Sequence, residues 1–322
     1  MITVKRITEY LSEHISDPAQ KYIMVKEIHG KHPSSSAYLI AYNGMKQSKW
    51  YRELAAEQWE DGSWGMFHTM DAKAEKKPRF LTTEAALGRA HELSLPKDDP
   101  IIVKAAELLE RYARGEETWR DRIEMHKDNG KGHMYCRPFM SAAQLGMFDP
   151  DNSAIRPLLG VVANKVETAF SSGTFDGEFW DREVREYRVP VIAHPGNMYG
   201  SMLLQCSGCL DDNLQRLYLE YMMNSENGIY YVSRIPLSDK QTFESGNFRQ
   251  WLGMLELLSG FTLFPKLIGT VVLPHLLNET ERIINDEVVL DNHKTRYAED
   301  WRNKDKRKTD AVLRIARLLA KC

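Results

Sequence analysis

The chain of 322 residues lacks long apolar runs, and neither sign of charge is in excess. Its longest apolar stretch, Leu267 to Leu277, is interrupted by Gly269 and Pro274 and is too short to cross a bilayer. Lys and Arg number 43 against 45 Asp and Glu, so the basic excess of a nucleic-acid binder is missing. The N-terminal segment shows helical spacing where a signal peptide would show an apolar core, which predicts a cytoplasmic protein.

Cysteine is also scarce, with four residues at Cys136, Cys206, Cys209 and Cys322. They are too few and too scattered for a disulfide framework. Cys206 and Cys209 form a single CxxC, which could support thiol redox chemistry or half of a zinc site. A second CxxC is missing, so the spacing favours one face of a buried helix. We predict no metal and no cofactor.

What the sequence does contain is helical periodicity from end to end, with turn residues between the apolar repeats. Only Gly228 to Ser233, which spells GIYYVS, predicts a short extended connection. The predicted helices are Val4 to Ile15, Ser36 to Met45, Ser48 to Gln58, Thr83 to Leu95, Pro100 to Arg114, Tyr135 to Gly146, Ser153 to Phe170, Asn197 to Ser207, Asp211 to Asn224, Phe248 to Leu258, Lys266 to Leu277 and Lys308 to Ala320.

Polar residues mark several helix starts as N-caps. The marked starts are Thr82 and Thr83, Asp98 and Asp99 before Pro100, Asp151 before Ser153, and Asp211 and Asp212 before Leu214. The aspartate pairs are therefore interpreted as caps and not as metal or acid sites. Glu84, close behind Thr82, is interpreted as a capping-box partner.

One signal repeats along the chain: Gly62, Gly173 and Gly228 each precede an aromatic residue by two positions. The first interval is about twice the second, which suggests a unit of about 55 residues, enough for two helices and two loops. Helix hairpins that cannot bury their own apolar faces must stack on neighbours. The sequence predicts one all-α domain over residues 1–322, an α/α toroid of about six hairpins in a closed ring.

The segment Gln58-Trp59-Glu60-Asp61-Gly62-Ser63-Trp64 resembles the QW motif, QxxxGxW, of the terpenoid cyclases and protein prenyltransferases. The resemblance is squalene-cyclase-like and implies a toroid in which Gln58 and Trp64 staple a helix end to the next loop. Leu54 matches the aliphatic residue before the motif, whereas Glu53 replaces an aromatic.

The catalytic motifs of that superfamily do not accompany the staple. The chain has no DxDD, and Asp211-Asp212-Asn213-Leu214-Gln215 lacks the last acid of DDxxD. Nothing aligns with the zinc ligands of the prenyltransferases. The resemblance therefore implies a fold more strongly than it implies a reaction.

A toroid also predicts where a site would lie, because its inner helices share one polarity and their N-termini meet at one rim of a central cavity. Thr83 and Glu84 lead one of these helices. The candidate catalytic residues at the other leading ends are Glu244, His133, His194 and Asp300. The candidate substrate-binding residues are Tyr135, Arg137, Asn197, Tyr199, Asn247, Arg249, Trp251, Trp301 and Arg302. We expect a small molecule with an anionic group at this rim, although surface ion pairs and core packing are the plainer interpretations of the arginines and tryptophans.

The loop from Arg120 to His133 contains His126, Asp128 and His133, whose side chains can ligate metals. The His-x-Asp spacing is not a zinc signature, and Gly130 with Gly132 favours a solvated flap. Closing such a flap over the rim would exclude water.

Three functions follow as hypotheses. The first is an isoprenoid enzyme of the terpene-cyclase type, started by an acid such as Glu244 or Asp300. The second is a carbohydrate-active α/α barrel of the polysaccharide lyase or unsaturated glycosidase type, some of which have a loop similar to Asp61-Gly62-Ser63-Trp64-Gly65. The third is a non-catalytic toroid that binds a ligand or partner.

The lining of the central cavity separates these hypotheses. A dry aromatic wall would favour the first, a wall of His, Asn, Arg and Trp would favour the second, and a filled centre would favour the third.

Overall fold

The computed structural model describes residues 2–68, 79–121, 131–206, 208–290 and 295–322, apart from the side chains of Lys131 and His133. In these ranges the chain contains helices and no strand, so the predicted all-α class is confirmed for this part of the chain. No helix within them combines the length and apolarity needed to cross a membrane.

Fourteen α-helices lie in the described ranges, together with two π-helical turns, Met24–Ile28 and Pro265–Gly269, and a 3-10 turn, Val191–Ala193. The helices are α1 (Val4–His14), α2 (Pro18–Ile23), α3 (Ser36–Lys46), α4 (Lys49–Glu57), α5 (Thr83–Glu92), α6 (Pro100–Ala113), α7 (Lys131–Gly146), α8 (Arg156–Ala169), α9 (Gly177–Arg185), α10 (Met198–Leu204), α11 (Asp212–Asn224), α12 (Phe248–Leu258), α13 (Thr270–Ile284) and α14 (Lys304–Leu319). The short helices α2 and α9 were not predicted. Of the predicted extended connection, Gly228 to Ser233, Tyr230 forms an isolated parallel bridge with Asn197, whereas Gly228 and Tyr231 have left-handed φ of 59° and 72°.

Three of the predicted N-caps form, and one does not. Side-chain oxygens accept from the backbone at Thr82 (Ala85 N, 3.1 Å), Asp99 (Ile101 N, 2.8 Å) and Asp211 (Leu214 N, 2.8 Å). The prediction for Asp151 is wrong, because α8 begins later, behind Ile155. Asn152 accepts from the Ala154 amide at 2.9 Å, and this local turn keeps the segment out of the helix.

The chain divides into two compact units. Unit 1 comprises Met1–Glu53, Met223–Gly228 and Val232–Cys322, and unit 2 comprises Leu54–Met222 and Ile229–Tyr231. The predicted closed ring and the predicted single domain over residues 1–322 stay predictions.

Unit 1 has α14 in its core, in contact with α1, α12 and α13. Two of the charged side chains of this helix show how charge is accommodated there. Arg317 forks onto Glu27 with N···O distances of 2.6 and 2.9 Å. Asp310 is fully buried and accepts from Gln20 Nε2 at 2.8 Å and from the Tyr297 amide at 3.0 Å. Because each of these groups has a fixed partner, a helix rich in charge can lie inside the unit.

Unit 2 contains the QW-like loop, and the predicted staple forms there. Trp64 is buried, and its indole N–H donates to the Leu54 carbonyl in the last turn of α4 at 2.9 Å. Gln58 Nε2 donates to the Gly62 and Ile101 carbonyls at 3.1 and 2.9 Å, which ties the loop to α6. The tryptophan therefore satisfies a carbonyl at the end of α4, and the glutamine holds the loop against α6.

The glycines of the repeat share one backbone conformation, with φ of 92° at Gly62, 87° at Gly173 and 59° at Gly228. A Cβ at Gly62 would lie 2.2 Å from the Lys104 carbonyl oxygen, and one at Gly228 would lie 2.3 Å from that of Ile235. At Gly62 and Gly228 only glycine combines positive φ with such close approach, whereas a Cβ at Gly173 would meet nothing within 4 Å and the positive φ alone favours glycine there.

Candidate functional site

A polar cluster forms in unit 2 around Glu84, in the first turn of α5. Glu84 Oε1 accepts from the Tyr199 hydroxyl and from Gln144 Nε2, the latter at 3.1 Å, and Oε2 lies 2.8 Å from His68 Nδ1. We call Glu84, His68, Gln144, Tyr199 and Tyr231 the Glu84 cluster. The capping-box interpretation of Glu84 is wrong, because both of its oxygens are engaged by side chains distant in sequence.

Backbone contacts fix the positions from which these side chains start. The amides of Phe67 and His68 donate to the Asp121 carboxylate at 2.6 and 2.7 Å. Asn197 caps α10 by accepting from the Tyr199 amide at 3.0 Å. Each of these segments is therefore anchored beside the side chain that meets Glu84.

The Glu84 cluster combines a buried phenol with a pair that faces solvent. Tyr199 is buried, and burial together with the neighbouring Glu84 carboxylate raises the pKa of its phenol, so it stays a donor. The side chains of His68 and Glu84 are 25% and 19% exposed. A carboxylate at Nδ1 selects the tautomer with the proton on Nδ1, in which Nε2 is the acceptor.

An exposed tyrosine, Tyr231, borders this pair, and a second, Tyr230, packs behind it. The Tyr231 ring lies 6.4 Å from the His68 ring and 5.8 Å from the Tyr199 ring, edge to face with both. Tyr230 packs against Tyr231 at 4.5 Å between ring centres. The bridge to α10 holds the segment in place, because the Tyr230 amide donates to the Gly196 carbonyl at 2.8 Å.

Of the residues predicted for the site in unit 2, Tyr199 belongs to the Glu84 cluster and Asn197 caps its helix. His194 packs edge to face against Trp180 at 5.6 Å between ring centres, and its Nδ1 accepts from the Gly196 amide at 2.8 Å. Burial lowers the pKa of His194 to about 4, although Asp181 opposes the shift. His194 is therefore neutral at pH 7 with its proton on Nε2.

Tyr135 and Arg137 lie on α7. Tyr135 meets Tyr187 edge to face at 6.0 Å. Arg137 is buried, donates to Thr118 Oγ1 at 3.0 Å and to the Asp121 carbonyl at 3.2 Å, and burial lowers its pKa. This arginine thus braces the segment whose Asp121 carboxylate holds the His68 amide.

The predicted flap lies largely outside the described residues. Of its metal-ligand candidates, His126 and Asp128 lie outside them, and so does the side chain of His133. Within the described ranges, no three His, Cys, Asp or Glu side chains are grouped as a metal site.

The remaining predicted residues lie in unit 1. Glu244 is half-exposed and pairs with Arg282 at 2.6 Å. Trp251 is fully buried and donates its indole N–H to the Leu237 carbonyl at 3.0 Å. The Trp301 ring has the guanidinium groups of Arg296 and Arg302 over it at 4.0 and 5.7 Å. The other side chains are exposed: Asn247, Arg249 and Asp300. That these residues and those of unit 2 face one cavity stays a prediction.

The CxxC lies in a turn that follows α10, and not on the helix face that its spacing suggested. The predicted helix ends early, at Leu204, and the Cys209 amide donates to the Cys206 carbonyl at 3.1 Å. Burial raises the pKa of both thiols to about 12. Thiols with raised pKa are poor nucleophiles, so the turn is a weak candidate for redox chemistry.

Comparison with known proteins returned no relative. No protein-family model matches the chain, and no curated protein or solved structure matches it. The functional conclusion therefore rests on the geometry of the Glu84 cluster.

Proposed function

We propose that the chain is a carbohydrate-active enzyme that cleaves a uronate-containing chain by β-elimination, with His68 as the base. The observation that carries the proposal is that one carboxylate, Glu84, orients a histidine that is 25% exposed and lies beside the exposed ring of Tyr231, against which the exposed ring of Tyr230 packs. A histidine oriented by a carboxylate is the usual arrangement of a general base. Exposed aromatic rings with polar groups between them suit a sugar, whose faces are apolar and whose edges carry hydroxyls.

The step conserves atoms and charge as follows. His68 Nε2 takes the proton from the carbon that bears the uronate carboxylate. The electron pair of that C–H bond becomes a carbon–carbon double bond, and the bond from the next carbon to the glycosidic oxygen breaks. The departing oxygen takes a proton from water, and His68 later returns its proton to solvent. The new non-reducing end is an unsaturated uronate.

Hydrolysis of a glycosidic bond fits this cluster less well than β-elimination. Glycoside hydrolysis generally uses two carboxyl groups, one of which protonates the leaving oxygen. The Glu84 cluster as defined holds one carboxylate, and its oxygens are engaged by His68, Tyr199 and Gln144. An orienting role for Glu84 therefore fits the contacts better than an acid role.

A panel of trisaccharides tests the proposal: galacturonate, mannuronate and glucuronate-containing chains, with cellotriose as the neutral control. We expect ultraviolet absorbance from the new conjugated double bond, and products whose masses sum to that of the substrate without added water. His68→Gln and Glu84→Gln should each lower kcat by about 10²- to 10⁴-fold. His91→Gln, in the last turn of the same helix as Glu84, is the matched control and should keep full activity.

Two results would overturn the proposal: no turnover of any uronate trisaccharide, or unchanged turnover in His68→Gln. Products that have gained water would assign hydrolysis instead. Tight binding without turnover would favour the non-catalytic alternative.

The QW-like staple supports a second proposal, the closed α/α ring with an isoprenoid bearing an anionic head in its central cavity, in a cytoplasmic protein. The contacts of Gln58 and Trp64 resemble those of the cyclase superfamily in tying a loop to helices. They stabilise the fold and supply no chemistry. Farnesyl diphosphate is the probe for this alternative, and binding of it that survives His68→Gln would favour it over the carbohydrate proposal.

A further inference from the structure

Among non-glycine residues in the described part of the chain, four have positive φ: Ser94 (57°), Tyr187 (54°), Tyr231 (72°) and Asp286 (59°). This conformation is disfavoured for residues with a Cβ, and for a bulky side chain it is a genuine outlier. Each instance therefore needs a cause.

Helix termination accounts for three of the four. Ser94, Tyr187 and Asp286 follow the last residues of α5, α9 and α13, where a left-handed residue ends the helix. The next amide then reaches back to a carbonyl five residues earlier: Leu95 to Ala90 at 3.1 Å, Arg188 to Glu183 at 2.9 Å and Glu287 to Arg282 at 2.9 Å. These bonds close the Schellman motif.

Tyr231 has a different setting. The helix before it ends at Asn224, and the helix after it begins at Phe248. The residue follows the bridge between Tyr230 and Asn197, its side chain is 53% exposed, and its ring meets the rings of His68 and Tyr199. Glycine would adopt this backbone without strain, so the reason for a tyrosine lies in the place that its ring takes.

We infer that Tyr231 is the ring on which the ligand stacks, and that its strained backbone is kept because it places this ring beside His68. Strain of this kind persists where a binding site uses the resulting geometry. The inference rests on the proposed function for its ligand, a uronate-containing sugar. It makes Tyr231 a determinant of specificity for a substrate with a sugar ring whose apolar face can lie on the aromatic ring.

Tyr231→Gly tests the inference against Tyr187→Gly. The two tyrosines match closely, since Tyr187 also has positive φ, is 44% exposed and makes an edge-to-face contact with Tyr135. Both substitutions relieve the same backbone strain, so we expect similar melting temperatures. Only Tyr231→Gly should weaken sugar binding, by about tenfold, while Tyr231→Phe keeps it.

Binding is measured by calorimetry in the His68→Gln background, so that no turnover is needed, with the trisaccharide that the wild type cleaves fastest. If the wild type neither binds nor cleaves any trisaccharide of the panel, the proposed function fails. If it does, and Tyr231→Gly binds as tightly as Tyr187→Gly, this inference fails while the proposed function stands. Should Tyr231→Gly not fold, Tyr231→Asn replaces it, because asparagine tolerates positive φ.

Discussion

Unit 1 and unit 2 both hold charged side chains away from water, but they use them differently. In unit 1, Arg317 and Glu27 neutralise each other in a two-bond fork, and Asp310 is fully buried among donors. In unit 2, Glu84 also meets several donors, and its partner is His68. The exposed fractions of the two pairs are similar, 16% and 20% for Arg317 and Glu27 against 25% and 19% for His68 and Glu84. What separates the two is the partner, because an arginine keeps its proton whereas a neutral histidine can accept one.

The largest loss of stability is expected in unit 2, when the staple formed by Trp64 is removed. Trp64→Ala deletes a buried ring and leaves the Leu54 carbonyl without its donor. We expect a loss of about 3–5 kcal/mol in the free energy of unfolding, as for other large aromatic deletions. Denaturant melts measure it, with exposed Trp59→Ala as the control. An unchanged midpoint would show that the QW match is accidental.

The corresponding destabilising substitution in unit 1 is Arg317→Met. Burial alone would raise the pKa of Glu27. The positive charge of Arg317 and its hydrogen bonds to Glu27 outweigh burial and lower that pKa, so removing the arginine takes away the partner of a carboxylate. We expect a loss of about 3 kcal/mol. The exposed pair of Arg6 and Glu9 is the control, and Arg6→Met should cost about 0.5 kcal/mol or less.

A double variant tests whether the cost of Arg317→Met comes from the charge that it leaves on Glu27. Replacing both partners, Arg317→Met with Glu27→Leu, should cost less than Arg317→Met alone, because no unpaired charge is left. A double variant less stable than the single one would mean that the fork supplies most of the stability itself.

Much of the helical fold could be predicted from periodicity, and α12 was predicted at both ends. The start of α14 was missed because its first turn carries charged residues and no apolar repeat. The short helix α2 had its signals in the sequence, an Asp17 cap before Pro18, but six residues are too few for a periodicity to show.

The site was less predictable, and Glu84 shows why. A glutamate just behind a threonine cap is the local pattern of a capping box, whereas its actual partners come from 16, 60 and 115 residues away. Local spacing cannot report such contacts. Tyr199 could be predicted because it lies at a helix start, whereas His68 lies in a loop and Gln144 in the middle of α7. The positive φ of Tyr231 has no signature in the sequence.

Two buried groups, Asp310 in unit 1 and His194 in unit 2, should respond oppositely to pH. Burial raises the pKa of Asp310 from 3.8 to about 7, against donors that lower it, and burial lowers the pKa of His194 from 6.5 to about 4. Between about pH 4 and 7, folded Asp310 holds a proton that the unfolded chain has lost, so its contribution to stability falls as pH rises. Between about pH 4 and 6.5, unfolded His194 holds a proton that the folded chain lacks, so that contribution rises.

Stability curves over this range separate the two groups. Asp310→Asn should make the free energy of unfolding rise more steeply with pH, and His194→Gln should make it rise less, each by at most about 1.4 kcal/mol per pH unit. His275→Gln, in unit 1, is the control. A slope that changes in the same direction in both variants would contradict the assignment of opposite protonation states.

The smallest effect concerns two helix caps, one in each unit. Thr82 caps α5, whose first turn carries Glu84, and Asn303 caps α14 by accepting from Asp305 N at 2.9 Å. Thr82→Ala and Asn303→Ala should each cost about 1 kcal/mol, because one backbone donor at Thr82 and two at Asn303 lose their side-chain acceptor. Only Thr82→Ala should also lower turnover of the uronate trisaccharide, by about tenfold, because a frayed first turn displaces the carboxylate that orients His68. Thr82→Ser, which keeps the hydroxyl, should restore the activity. Equal activity in the two alanine variants would mean that the position of Glu84 does not depend on its helix end, and that Tyr199 and Gln144 hold the carboxylate on their own.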